Sequence, residues 1–211
     1  TFTDNGYPVH LAQEVDELGR VTAYARDASN RITRADYPDG SYETFTYNAY
    51  GQVQSQRKRD GSVWSNSYDG LGRQIAAMDP LGHATRYAYD SRGRVSAISN
   101  ALGYVTQLAY DWRGQVTNVN YPDGTQERIA YDEYGAETNR GLASGGNVAR
   151  TYDEWGRPAS ITDPLGNATL YQYDSQGRLL RTTYPSGLIV SNAYDAAGRK
   201  TREYFSTDGT S

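Results

Sequence analysis

The chain repeats itself every 21 residues without a gap, and that period constrains its fold more than any other feature. Tyr-Asp-x-x-Gly recurs at Tyr68-Asp69, Tyr89-Asp90, Tyr110-Asp111, Tyr131-Asp132, Tyr152-Asp153, Tyr173-Asp174 and Tyr194-Asp195, with a looser copy at Tyr47-Asn48. A fixed period of this size describes an array whose units bury surface only against their neighbours. A residue that recurs at every period reads first as structural.

Each unit carries two turns. In the unit from Tyr89 to Ala109, Asp90-Ser91-Arg92-Gly93 is the first and Asn100-Ala101-Leu102-Gly103 the second. Asp or Asn at the first position bonds its own backbone, and Gly at the fourth accepts positive φ. Sister second turns such as Asp79-Pro80-Leu81-Gly82 and Tyr121-Pro122-Asp123-Gly124 add Pro where φ should be near −65°. Both turns fit a type I turn closed by a Gly bulge, a common hairpin connection. Second-turn glycines fall at Gly19, Gly40, Gly61, Gly82, Gly103, Gly124, Gly145, Gly166 and Gly187; first-turn glycines run from Gly51 through Gly72, Gly93, Gly114, Gly135, Gly156 and Gly177 to Gly198. Asn30 takes the earlier first-turn slot. The register makes Asp16-Glu17-Leu18-Gly19 a second turn. The pattern frays before about residue 10 and slips by one at Asp208-Gly209.

A Gly roughly every ten residues, with Pro between, disfavours helix. Strands of six or seven residues alternate instead. Phe45 and Tyr47, Tyr87 and Tyr89, Leu108 and Tyr110, and Tyr171 and Tyr173 sit two apart on one face; Ala84, Arg86 and Ala88 mark the other. Tyrosine is overused, at 20 residues against three Phe and three Trp. A Tyr ring packs while its hydroxyl stays bonded or wet, which suits a sheet with no dry face.

The fold class is therefore all-β: an antiparallel hairpin meander of about ten 21-residue repeats, a single array over residues 1–211 and a piece of something longer. About 20 strands at about 4.8 Å each make a sheet roughly 90 Å wide, against about 40 Å for a compact globule of this length. Sheets this wide curl or close, and one circuit of roughly 30 Å diameter exceeds what its own side chains fill. The expected form is a curved sheet whose width implies a hollow, a guest, or stacking on further coils of the same wall.

Tyr-Asp-x-x-Gly-Arg followed by Asp-Pro-Leu-Gly or Tyr-Pro-Asp-Gly and then Thr-x-x-Tyr-x-Tyr-Asp resembles the YD or Rhs (rearrangement hot spot) repeat. Asp90 through Val95, Asp153 through Arg157 and Asp174 through Leu179 carry it most fully. Departures are local: Arg26-Asp27 lacks the Tyr, Gln115 and Ala136 replace the Arg, and Gly141 to Gly146 weakens one second turn. The resemblance implies kinship with bacterial Rhs toxins, shell-forming subunits of insecticidal toxin complexes and teneurins. It implies a β-sheet spiral wound into a hollow shell that, in bacterial members, holds a C-terminal toxin. Its implied partners are that cargo and further repeats of the same shell, in a secreted or cell-surface setting.

The motif residues Tyr68, Asp69, Gly72, Arg73, Tyr89, Asp90, Gly93, Arg94, Tyr110, Asp111, Gly114, Tyr152, Asp153, Gly156, Arg157, Tyr173, Asp174, Gly177 and Arg178 read as structural. The aspartate column, spaced roughly 10 Å, approaches the range of paired catalytic carboxylates. Its place in every turn favours capping and pairing with the following Arg. The tyrosine column reads as cross-strand packing rather than a ligand ladder. Tyr50, Trp112, Tyr134 and Trp155 occupy free positions of first turns and share one rim, where they contact another coil, a guest or carbohydrate.

No enzymatic constellation appears: no Gly-x-Ser-x-Gly, phosphate loop or dinucleotide fingerprint. His10 and His83 are far apart in register and the chain has no Cys, which argues against a metal, and no cofactor is expected. The net charge of −4, with Arg57-Lys58-Arg59 the one basic cluster, argues against nucleic acid. No segment approaches membrane-spanning length. Asn167-Ala168-Thr169 is a weak glycosylation sequon. Edge strands predict self-association. Two functions compete: encapsulation by a shell wall, and carbohydrate binding or adhesion through the aromatic rim.

Overall fold

The computed structural model describes residues 12–207, in two units spanning 1–105 and 106–211. His10, the N-terminal fraying and the slip at Asp208-Gly209 lie outside the described residues. Those residues form strands and turns without helix.

The first unit contains β1 (Gln13–Val15), β2 (Val21–Arg26), β3 (Ile32–Asp36), β4 (Tyr42–Tyr47), β5 (Val53–Arg57), β6 (Val63–Tyr68), β7 (Gln74–Met78), β8 (Ala84–Tyr89) and β9 (Val95–Ser99). The second contains β10 (Val105–Tyr110), β11 (Val116–Asn120), β12 (Gln126–Tyr131), β13 (Glu137–Gly141), β14 (Asn147–Tyr152), β15 (Pro158–Thr162), β16 (Ala168–Tyr173), β17 (Leu179–Thr183), β18 (Leu188–Tyr194) and β19 (Lys200–Thr207). Within each unit consecutive strands pair antiparallel.

The two turns close alike. The Asp69 N–H donates to the Arg73 carbonyl at 2.9 Å and the Gly72 N–H to the Asp69 carbonyl at 3.0 Å. Asp79, Gly82 and His83 repeat this at 3.0 Å each. Gly72 and Gly82 have φ of 77° and 84°, and Asn30, the one described non-glycine with positive φ, has 64°. The turn at Leu142–Gly146, which looked weak in sequence, forms both of its bonds. Gly145 at φ 94° supplies the bend, so the missing Asp costs only a cap.

The structure adds a register shift at every first-turn hairpin. Tyr68 pairs with Gln74 but Ser67 with Ala76, leaving Ile75 extra. The same shift falls between Ala88 and Tyr89 and between Ala130 and Tyr131, while β7–β8 and β11–β12, joined by second turns, pair without one. The reason is parity. Side chains alternate faces with period 2 and the repeat length is odd, so an unbulged ladder would send successive tyrosines to opposite faces. One extra residue per repeat absorbs the odd count and keeps every tyrosine on one face.

That face is the better covered. In β12, Glu127 and Tyr131 are half-buried and Ile129 is buried, whereas Gln126, Arg128 and Ala130 are exposed. Burial is sparse: Ala35, Ala84, Ile129, Thr182 and Ile189 are the buried side chains among the described residues. Ala84 sits on the face read as small and polar, yet it is buried. Ile189 stands in the same repeat slot, likewise two residues after a second-turn Gly, so this slot is buried in both units. Neither unit has a dry layer of its own.

Candidate functional site

The motif residues converge on the first-turn border. Asp69 Oδ1 accepts from the N–H groups of Leu71 and Arg73 at 2.9 Å, and Oδ2 takes Arg73 Nε at 2.7 Å. Asp90 with Arg94, Asp153 with Arg157, and Asp174 with Arg178 repeat the pattern. Asp111 keeps the backbone bonds but faces Gln115. The Arg backbone N–H, and after it the guanidinium opposing partial desolvation, hold the carboxyls of Asp69, Asp90 and Asp174 below the usual carboxylate range.

The arginine then reaches the next repeat. The Arg73 guanidinium lies 4.5 Å from the Tyr89 ring centroid, Arg157 4.5 Å from Tyr173, and Arg178 4.7 Å from Tyr194. The tyrosine hydroxyl points back. Tyr68 donates to the Val53 carbonyl at 2.9 Å, Tyr89 to Gln74 at 2.6 Å, Tyr131 to Val116 at 2.9 Å and Tyr152 to Glu137 at 2.8 Å. Each acceptor is the residue opposite the preceding repeat's motif tyrosine, at the register shift: Val53 pairs with Tyr47, Gln74 with Tyr68, Val116 with Tyr110 and Glu137 with Tyr131. A bulge disrupts the ladder locally, and the next hydroxyl satisfies a carbonyl there. Gly93, Gly114, Gly156 and Gly177 all hold positive φ at the first-turn corners. Where Gln stands for Arg, as in Gln52 and Gln115, Nε2 donates to the carbonyls of Gly72 and Gly135 at 2.7 and 2.8 Å, so the amide makes the link to the next repeat.

Of the rim aromatics, Trp155 touches this network, its ring centroid 4.7 Å from the Arg157 guanidinium. Tyr50 is 69% exposed, Trp112 75%, Tyr134 85% and Trp155 69%. Tyr50 donates to the Gly70 carbonyl at 3.2 Å, in the next first turn. In the second unit the other three flank two depressions. One, of about 820 Å³, lies between Tyr134 and Trp155 with Ala136, Thr138 and Thr151 in its lining. The other, of about 530 Å³, lies beside Trp112 with Thr117, Ile129 and Glu133.

Sequence reasoning missed a charge network on the tyrosine face. Arg140 Nη1 meets Glu127 Oε2 at 3.0 Å, its Nη2 meets Glu137 Oε2 at 2.6 Å, and Arg150 closes on Glu137 Oε1. Hydrogen bonding from Arg140 holds the Glu137 carboxyl below its ordinary value, and the Glu137 hydrogen bond raises Arg140. Arg140 and Arg150 stand in the repeat slots that hold buried Ala35 and Ile129 elsewhere. Two cations in columns that hold no other basic residue were the signal available. His83 Nδ1 lies 2.9 Å from Asp79 Oδ2, as a turn contact. No group of three His, Cys, Asp or Glu suited to a metal occurs among the described residues.

These features define a repeat array in which each unit is locked to the next through its turn border. The Teneurin YD-shell family matches residues 1–209, and the chain belongs to that family. Its fold is similar to the crystal structure of TcdB2-TccC3-TEV, with a TM-score of 0.64 and 17% identity over 89% of this chain and 11% of that one. TcdB2-TccC3 without its hypervariable C-terminal region aligns at a TM-score of 0.48 and 14% identity over 90% of this chain and 14% of that one. The Photorhabdus luminescens Tc holotoxin pore aligns at 0.49 and 13% over 93% and 13%. The chain thus spans about a tenth of the length of the first of these. No curated protein matches it significantly.

Proposed function

We propose that this chain is a section of wall in a toxin-related shell, and that its role is containment rather than catalysis. The observation that carries the reading is the motif linkage. Where the full motif stands, Asp fixes the Arg, the Arg lies over the next repeat's Tyr, and that Tyr bonds back, so repeats are tied to one another without a core and leave the sheet as barrier. Membership of the YD-shell family and the likeness to a TcdB2-TccC3 structure support it. The wall would keep a C-terminal toxic segment from cytosol and proteases until delivery, in a secreted or cell-surface protein. The test is limited proteolysis of the protein that carries these repeats together with its cargo. Protection of the cargo is expected; a cargo cut as fast with the repeats as without them defeats the reading.

A second reading, carbohydrate binding, is favoured by the exposed aromatic rim with its flanking depressions. Glycan-array binding that disappears on Trp112→Ala plus Trp155→Ala would support it. An inert array removes it.

A further inference from the structure

One repeat lacks the side chain that its sisters use as a clamp. The residue after each first turn is Arg at Arg31, Arg73, Arg94, Arg157, Arg178 and Arg199, and Gln at Gln52 and Gln115. At Ala136 it is neither. In the sister repeats a guanidinium sits between a carboxylate and a ring. Arg157 Nε lies 2.7 Å from Asp153 Oδ2, and its guanidinium 4.5 Å from the Tyr173 ring centroid. Arg178 stands 2.6 Å from Asp174 and 4.7 Å from the Tyr194 ring, and Arg73 2.7 Å from Asp69 and 4.5 Å from the Tyr89 ring.

Both jaws of that clamp are set at Ala136. Asp132 Oδ1 accepts the N–H groups of Tyr134 and Ala136 at 2.9 and 2.8 Å, the cap its sisters make, which leaves Oδ2 for a further donor. The Tyr152 hydroxyl donates to the Glu137 carbonyl at 2.8 Å, so its ring is anchored as the other motif tyrosines are. Among the described residues no salt bridge reaches Asp132 and no cation lies over the Tyr152 ring. The hollow of about 820 Å³ is lined by Asp132, Ala136 and Tyr152, with Tyr134 and Trp155 beside them. Its charge calls for a cation. Glu133 and Glu154 also line it and make no salt bridge among the described residues. Arg113 reaches the Glu133 carbonyl rather than its carboxylate. Arg150, the cation in the lining, is committed to Glu137, and Asp153 to Arg157. Three carboxylates without an ion pair therefore stand beside three aromatic rings.

We propose that this hollow binds the side chain of an arginine carried by a partner polypeptide. Its guanidinium takes the place that Arg73, Arg157 and Arg178 fill in their own repeats, against Asp132 Oδ2 and over the Tyr152 ring. A planar guanidinium meets a carboxylate with its edge and a ring with its face at once, which a compact ammonium cannot do. Cap and ring are already fixed, so binding spends little on ordering the site. Containment does not depend on this site, and cargo protection is read separately. Carbohydrate would compete for the same hollow, and the two occupants differ in charge.

The experiment is an amide proton–nitrogen NMR titration of the full 211-residue chain with an end-blocked Gly-Arg-Gly peptide. The same peptide with lysine, or with citrulline as the uncharged isostere, is the control. Saturable shifts are expected at the Tyr134 and Ala136 amides and the Trp155 indole, with a Kd in about the millimolar range for a single charged side chain. Lysine should bind more weakly and citrulline not at all. Asp132→Asn keeps an Oδ1 for the turn, as Asn48 does in its own, and removes the charge. It should weaken binding by about tenfold or more. Ala136→Arg supplies the guanidinium on a tether, at an effective concentration the free peptide cannot match. That chain should lose the peptide and melt at a higher temperature. Absence of saturable shifts in the parent chain overturns the proposal, and so does lysine binding as tightly as arginine. An Ala136→Arg chain that melts lower, or that still binds the peptide as the parent does, overturns it as well. A neutral oligosaccharide that moves these signals while the arginine peptide does not would give the hollow to carbohydrate instead.

Discussion

At the scale of the residue, the motif acts as a relay. Asp caps its own turn and fixes the Arg, the Arg lies over the next Tyr, and that Tyr returns a hydroxyl to the shifted register behind it. Tyr131→Phe removes the bond to the Val116 carbonyl and nothing else of size. A loss of about 1 kcal/mol is expected in urea unfolding, the usual worth of one such bond. Glycine is needed for two separable reasons. A Cβ on Gly166, at φ 86°, meets nothing within 4 Å, so Gly166→Ala reports the backbone alone, about 1–2 kcal/mol. A Cβ on Gly146, at φ 79°, would lie 2.7 Å from Pro164 Cβ, so Gly146→Ala should cost clearly more in the same assay. Equal losses would show that Pro164 yields freely. Arg140→Ala leaves half-buried Glu127 without its ion pair and Glu137 with Arg150 alone. A loss of about 1–2 kcal/mol is expected, smaller in 1 M salt because salt screens the ion pairs that are lost.

At the scale of the element, the hairpin is the unit and its register is the fragile quantity. Removing residues 69–89 takes out one whole period and one bulge together, so every downstream tyrosine keeps its face. Removing Ile75 alone takes out the extra residue of one bulge and sends every later tyrosine of that unit to the opposite face. The shorter deletion should be far the more damaging: a cooperative melt for the 21-residue deletion, and none for the single one. Comparable melts in the two would mean that the register slips without penalty. The positions of the hairpins were legible in the glycine columns. The displaced-looking turn at Asp16 was correctly placed by its register, as the shift-free pairing of β1 with β2 shows. The strength of the Leu142–Gly146 turn was underestimated, because a cap is visible in sequence while the backbone bonds that close a turn without one are not.

At the scale of the whole molecule, titration couples the repeats. The first-turn carboxyls of Asp69, Asp90 and Asp174 are held low chiefly by backbone N–H groups, and Asp39 on a second turn is lowered to about 2 by Ser41 and Arg59. A carboxyl whose folded value lies below its unfolded value of about 3.9 contributes fully above that unfolded value. Its contribution disappears as pH falls through the folded value. The melting temperature should be level from pH 7 to about pH 5 and fall between about pH 4 and pH 2. The fall should be shallower when the motif aspartates are changed to Asn. A melting temperature that is level down to pH 2 would mean that these carboxylates do not bear on folding. At the alkaline end, desolvation followed by Glu137 raises the Tyr131 hydroxyl. Its contribution is full below its unfolded value of about 10 and declines as pH rises through the higher folded one.

The period alone determined the class of fold, both turns and the side of the sheet on which the tyrosines lie, because short-range turn chemistry repeats in the letters. It contained the need for one extra residue per repeat, since an odd period and a single tyrosine face are incompatible without it. Only the tertiary structure decided where that residue sits and which carbonyls the hydroxyls reach. Only it showed Arg140 and Arg150 joined in a charge network at slots that hold no other basic residue. Those outcomes depend on distances between strands that are neighbours in space, and a chain read one residue at a time carries no such distances.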